Sequence, residues 1–192
     1  MKLGLCAAVD EELGPLPGVG LGVGPVTAGS AAARWLATEK PDAVLLIGTA
    51  GAYAGGPEIG TLVAAGALGL GDSAAAIGLA YVPRAPGELA ANLAILAESG
   101  LPVARVLTLA AITTDPTLAA LHAANWEVEH MEAYAVALAC AAAGVPFAAI
   151  LGITNRVGPE AHAQWRANRE RVQRAVQNVA ARVLAAQARD AG

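Results

Sequence analysis

Between residues 131 and 158 the chain joins a helix to a buried strand across one short turn, and this pair limits the folds open to it. Met131 to Ala143 is rich in Ala and Leu and holds no helix breaker, which favours helix. Gly144 follows where a left-handed C-terminal cap is expected, and Pro146 prevents continuation. Phe147 to Thr154 is then an apolar run, long enough for one strand of a parallel sheet buried on both faces. It ends abruptly in the polar residues Thr154, Asn155 and Arg156. In open α/β sheets, ligands bind beyond the carboxyl ends of the strands. Asn155 therefore stands where a ligand would sit, and Glu132 opens the helix before it.

The same order recurs along the chain. Lys2 to Val9 reads as a strand that delivers Asp10, Glu11 and Glu12 to its carboxyl end. Gly18 to Gly24 is a glycine-rich turn, open to two readings: a tight turn that needs glycine, or a direct ligand contact. It matches neither GxGxxG nor a phosphate loop with its lysine. Ser30 to Lys40 reads as a helix closed by Pro41, and Asp42 to Ile47 as a buried strand running into the small-residue loop Gly48-Thr49-Ala50-Gly51. Further strands are expected at Leu62 to Ala65 and Val103 to Ile112, with a helix between them from Gly87 to Ser99. A long helix from Pro159 to Arg189 carries an apolar stripe of Trp165, Val172, Val176, Val179 and Val183. Gly66 to Pro86 has no readable pattern. Strand, turn and helix repeated in this way predict a three-layer α/β/α sandwich, built as a single domain over residues 1–192.

Composition removes several alternatives. Hydrophobic residues make up 56% of the chain and mean hydropathy is +0.51. Even so, Gly, Pro or a charge breaks every apolar run well short of the roughly 20 residues a spanning helix needs. The excess is mostly Ala, which fits a soluble α/β protein with no membrane partner. The N-terminus reads directly into a strand with no signal-cleavage pattern, so a cytoplasmic location is expected. Cys6 and Cys140 lie in apolar elements and read as buried thiols. Two Cys and three scattered His offer no zinc spacing, and no metal or cofactor is expected. Seven of the 12 Lys and Arg lie from Arg156 onward. With no aromatic platform beside them, they read as a solvated helix face rather than a nucleic-acid surface.

Glu129-His130-Met131-Glu132, the Ala-rich helix, Gly144-Val145-Pro146-Phe147 and Ile153-Thr154-Asn155 together resemble the nucleoside phosphorylase/nucleosidase family. That family's motif is Met-Glu, a small-residue helix, Gly-Val-Pro-Phe, then Ile-Ser-Asp or Ile-Ser-Asn. The pattern is most similar to the futalosine hydrolase branch, with methylthioadenosine/S-adenosylhomocysteine nucleosidases as close relatives. The resemblance covers most of the chain, most strongly over 128–158. It implies an α/β fold with a central mixed, mostly parallel sheet, hydrolysis of a purine nucleoside, and a homodimer or higher homo-oligomer.

The resemblance also implies roles. Glu12 would activate the attacking water as a general base. Thr49, Ala50 and Gly51 would pass under ribose and base, Met131 would pack beneath the ribose, and Glu132 would accept hydrogen bonds from the 2′- and 3′-hydroxyls. Thr154 would line the base site beside Asn155. The Asn155 amide can donate to O6 and accept from a protonated N7 of a 6-oxopurine, which favours hypoxanthine, and so futalosine, over adenine nucleosides. Two departures stand out. Leu151 occupies a position where the family often has an Arg that helps hold the water. The Thr113-Thr114-Asp115 segment lacks the base-stacking aromatic that usually follows it. Other readings stay open: a methylthioadenosine/S-adenosylhomocysteine nucleosidase, a purine nucleoside phosphorylase, or a nucleoside-binding protein without catalysis. The acids at 10–12 argue against a phosphorylase, since they would repel phosphate.

Overall fold

The computed structural model describes residues 1–189 and is organised around one eight-stranded sheet. The strands are β1 (Leu3–Ala7), β2 (Val19–Gly20), β3 (Ala43–Ala52), β4 (Leu62–Leu70), β5 (Leu89–Ala90), β6 (Val103–Thr108), β7 (Val128–His130) and β8 (Phe147–Arg156). The helices are α1 (Asp10–Leu13), α2 (Pro25–Glu39), α3 (Ser73–Ala76), α4 (Pro116–Ala123), α5 (Ala133–Ala143) and α6 (Ala161–Arg189). Pairing is parallel for β1 with β2, β1 with β3, β3 with β8, β4 with β6 and β6 with β7. It is antiparallel for β3 with β7, β4 with β5 and β4 with β8. The sheet is thus mixed and mostly parallel, as expected.

The two central strands, β3 and β8, lie parallel from Val44 opposite Phe147 to Ala52 opposite Arg156. Their apolar side chains alternate between two cores. Val44, Leu46, Ala149, Leu151 and Ile153 face α2 and α5, while Leu45, Ile47, Ala148 and Ile150 face α6. Burial on both faces explains why these strands read as continuous apolar runs rather than as alternating ones. On α6, Val172, Val176, Val179 and Val183 form the stripe that covers the second core.

The sheet also closes on itself. β3 pairs with β8, β8 with β4, β4 with β6, β6 with β7, and β7 returns to β3. Register shifts between Ala50 and Gly51 and between Ala65 and Leu68 bend the long strands enough to allow this. Gly48 to Gly51 is the end of β3 rather than a loop, because β7 pairs with β3 through Ala52. The region expected as one helix, 87–99, is a short strand followed by a 3₁₀ turn over Leu93–Ser99. Here Ala91 N–H donates to the Gly66 carbonyl, and the Asn92 side chain accepts from Ala94 N–H. β6 ends at Thr108, short of Ile112. α5 begins at Ala133 rather than Met131, and α2 at Pro25 rather than Ser30.

α6 lies close against β8 because Gly152 has no side chain. A Cβ there would come within 2.3 Å of Val172 Cγ1 and 2.8 Å of Val176 Cγ2. Glycine in a strand interior ordinarily costs about 0.5–1 kcal/mol relative to alanine. Overpacking a dense core costs about 1–3 kcal/mol, so here the clash wins. Gly152→Ala should therefore lower unfolding stability by about 1–2 kcal/mol, read by urea denaturation. An unchanged or raised midpoint would contradict this packing.

Candidate active site

A pocket of about 690 Å³ opens at the carboxyl ends of β1, β3 and β8. Its lining brings together Glu12, Thr49, Ala50, Gly51, Met131, Glu132, Thr154 and Asn155, drawn from four separate stretches of sequence. Val23, Ile112, His130 and Trp165 are among the other residues on its wall.

Glu12 stands in α1, directly after the first strand, and is 7% exposed. One carboxylate oxygen, Oε1, accepts both from the Thr49 backbone N–H at 2.8 Å and from Thr49 Oγ1 at 3.0 Å. The other, Oε2, is buried and has no hydrogen-bond partner among the described residues. The carboxylate is therefore anchored by one oxygen and uncommitted at the other. Burial raises its pKa, opposed by the nearness of His130 and by the two Thr49 bonds. Trp165 Nε1–H in turn donates to Thr49 Oγ1 at 3.3 Å, tying α6 to the same anchor.

Glu132 is the residue before α5 and caps no helix N–H with its own side chain. Its Oε1 accepts from the Gly24 backbone N–H at 2.7 Å. Gly24 has φ +86, so the turn needs glycine there, and its amide orients the carboxylate. Burial raises the pKa of Glu132, opposed by that amide bond and by one from Met131. The start of α5 is satisfied by other groups. His130 Nδ1 accepts from the N–H of Glu132 and of Ala133, both at 3.1 Å, and Thr108 Oγ1 accepts from Tyr134 N–H. A nitrogen that accepts two N–H bonds carries no proton, so the neutral ring holds its proton on Nε2. For the same reason the 3.4 Å approach of His130 Nδ1 to Glu132 Oε2 is not an ion pair.

Asn155 is 8% exposed and ends β8. Thr154 Oγ1 lies 2.9 Å from Asn155 Oδ1, and Asn155 Nδ2 donates to the Arg156 carbonyl at 3.2 Å. These contacts fix which way the amide points. One acceptor lone pair and one N–H remain for a ligand. Gly51 makes room beside it, since a Cβ there would come within 2.8 Å of Asn155 Nδ2. Arg156 turns away, donating to the carbonyls of Tyr53, Gly56 and Pro57 and pairing with Glu58 at 2.6 Å. Leu151 is fully buried in the core beneath α5 and does not reach the pocket.

Trp165 departs from the apolar stripe predicted for it. It is half-buried at the pocket wall, with the Arg169 guanidinium 4.9 Å over its ring. Asp115 caps α4 by accepting from Leu118 N–H, so the 113–118 segment brings no aromatic to the pocket. Asp72 caps α3 and is exposed. His130 is the residue whose part sequence reasoning missed. The signal was its place inside the Glu129-to-Glu132 motif, but the short strand β7 that aims it inward is too brief to read. Cys6 and Cys140 are buried free thiols, with burial raising both pKa values, that of Cys140 to about 12. Among the described residues no cluster of three His, Cys, Asp or Glu side chains could hold a metal ion, and no helix is long and apolar enough to cross a membrane.

The model of the phosphorylase superfamily matches residues 16–188. The chain belongs to this superfamily. A futalosine hydrolase of Thermus thermophilus is 35% identical, over 76% of this chain and 71% of its own. Among solved superfamily structures, the methylthioadenosine/S-adenosylhomocysteine nucleosidase of Colwellia psychrerythraea, in complex with adenine, superposes with a TM-score of 0.82 at 20% identity. That match covers 96% of this chain and 95% of the nucleosidase. The native futalosine hydrolase of Helicobacter pylori gives 0.81 at 17% identity, covering 96% and 97%. At these identities the structural matches establish the superfamily fold.

Burial pushes the pKa of His130 down to about 4, with the charge of Glu12 opposing that shift. Its ring should therefore stay neutral, as the Nε2–H tautomer, down to about pH 5. Long-range proton–nitrogen NMR of the labelled protein reads this directly. A midpoint near 6.5, or a proton on Nδ1, would contradict the hydrogen-bond pattern.

Proposed function

We propose that the protein hydrolyses the N-glycosidic bond of a 6-oxopurine nucleoside, with futalosine the preferred substrate and hypoxanthine the base released. The observation that carries this reading is the pairing of Glu12 and Asn155 across one pocket. Glu12 presents a buried, uncommitted carboxylate oxygen, and Asn155 an amide with one free donor and one free acceptor. Glu12 takes a proton from water as the water oxygen bonds to C1′. The C1′–N9 bond breaks and the base leaves with its electron pair, taking a proton at N7 from solvent water, and Glu12 afterwards returns its proton to solvent. Positive charge that develops on the ribose, as in glycoside hydrolysis generally, is met by Glu132, which also receives the 2′- and 3′-hydroxyls. Met131, Thr49, Ala50 and Gly51 pack along the nucleoside, and Thr154 holds the Asn155 amide in orientation. The 35% identity to a futalosine hydrolase supports the choice of substrate.

Asn155 sets the preference. Against hypoxanthine its amide meets O6 with a donor and the N7 proton with an acceptor. Against adenine its donor faces the 6-amino group, and a buried donor without a partner costs about 1–3 kcal/mol, roughly tenfold to a hundredfold. The acids Glu11, Glu12 and Glu132 on the pocket wall disfavour phosphate as nucleophile, so water attacks. We further propose that the protein acts in the cytoplasm as a homodimer or higher homo-oligomer. Among the described residues Trp165 is the one Phe, Tyr or Trp that lines the pocket, and a second subunit would supply further stacking surface. Light scattering that finds only monomer at micromolar concentration would count against that assembly. Leu151 favours a second reading, a nucleoside-binding protein without turnover, because an arginine is lost where the superfamily often holds its water.

Parallel incubations with futalosine, inosine and methylthioadenosine, with free base measured by chromatography, should release base fastest from futalosine and slowest from methylthioadenosine. The rate should not depend on phosphate. Glu12→Gln should lower kcat by about 10²–10⁴. Methylthioadenosine as the best of the three would overturn the Asn155 argument, and binding without base release would establish the second reading. Asn155→Asp should shift the hypoxanthine-to-adenine preference by about tenfold to a hundredfold toward adenine. Because burial raises the Glu12 pKa and the base must be ionised, activity should fall with decreasing pH through a midpoint above the ordinary carboxylate range.

A further inference from the structure

We propose that His130 holds the attacking water, donating from Nε2–H to the water oxygen while Glu12 Oε2 accepts from the same water. This rests on the reading of Glu12 as general base and goes beyond it by naming a second group on the nucleophile. Three observations carry it. First, both ring nitrogens have defined states. Nδ1 is used up by the N–H groups of Glu132 and Ala133, which leaves Nε2 as a donor. Second, that donor and the Glu12 carboxylate converge. A Cβ built on Gly48 would lie 3.0 Å from His130 Nε2 and 3.5 and 3.6 Å from the two Glu12 oxygens. Both side chains line the pocket, yet no direct hydrogen bond joins them. Third, the supports are rigid. His130 is 4% exposed and fixed by two backbone bonds, and Glu12 is fixed by two bonds from Thr49.

A donor and an acceptor that face one small space without touching are what one water needs. The water accepts from Nε2–H, donates one proton to Oε2 and keeps a lone pair for C1′. In the reaction that proton passes to Glu12 Oε2, the oxygen–C1′ bond forms, and the C1′–N9 electron pair goes to the base. His130 keeps its Nε2 proton and stays neutral throughout. Glu132, whose Oε2 lies 3.4 Å from Nδ1, faces the other side of the ring and does not compete for Nε2. The arrangement also supplies a role that Leu151 cannot fill, because that side chain is sealed in the core.

Two variants separate the donor from the helix cap. His130→Asn keeps an acceptor near the δ position and removes the ε donor. His130→Gln keeps an N–H near the ε position and removes the δ acceptor. The proposal expects His130→Asn to lose about tenfold to a hundredfold in kcat toward hypoxanthine nucleosides. KM and hypoxanthine affinity by calorimetry should change less than about threefold, and the acid limb of the kcat profile should move to higher pH. His130→Gln should retain more kcat than His130→Asn, even if its melting temperature falls further. Wild-type kcat in His130→Asn, or a folded His130→Gln slower than His130→Asn, would overturn the proposal. Glu12→Gln run alongside keeps the two readings apart. If that variant is fully active, the hydrolase mechanism fails. If it is inactive while His130→Asn turns over normally, only the role of His130 fails.

Discussion

The parallel pairing of β3 with β8 is the constraint on which the rest of the structure depends. From Val44 and Phe147 onward the two strands are buried on both faces, so neither can carry a polar side chain until both reach the far edge of the core. Polarity appears near the end of each, at Thr49 on β3, which lies opposite Gly152, and at Thr154 and Asn155 on β8, the latter opposite Gly51. The pocket stands where the sheet first permits hydrogen-bonding side chains. The register shift after Ala50 brings Gly51 opposite Asn155, and the absence of a Cβ at Gly51 lets the amide lie flat against the neighbouring strand.

Around that edge, Glu12, Glu132 and His130 are each held by at least one backbone N–H. Thr49 N–H holds Glu12, Gly24 N–H holds Glu132, and the first amides of α5 hold His130. Buried carboxylates are costly unless hydrogen-bonded. The backbone donors reduce that cost for Glu12 and Glu132, and burial still raises both pKa values. The result is a site organised before any substrate arrives, with the free Glu12 oxygen and the free edge of Asn155 as the groups left to react with it.

Much of this was legible in the sequence, for reasons that differ by element. α5, Gly144 and β8 could be read because Ala-rich helix, left-handed cap and apolar run are each strong local signals. Glu12, Glu132 and Asn155 could be placed because each lies just past a readable element. The closure of the sheet could not be read, since it depends on β7, only three residues long, and on register shifts inside β3 and β4. Trp165 falls on the spacing of the apolar stripe of α6, because periodicity cannot tell the N-terminal part of the helix, which lines the pocket from Ala161 to Gln173, from the turns that cover the sheet. The region from 87 to 99 misled for a similar reason. Its composition favours helix, but pairing of Leu89 and Ala90 with β4 overrides that preference.

The central claim is that the amide edge of Asn155 selects a 6-oxopurine. Affinity for the free bases tests this most directly, because it is independent of turnover, of the nucleophile and of the 5′ substituent. Calorimetric titration of the wild-type protein with hypoxanthine and with adenine at neutral pH should find hypoxanthine tighter by about tenfold or more. Adenine binding as tightly as hypoxanthine, or more tightly, would contradict the account.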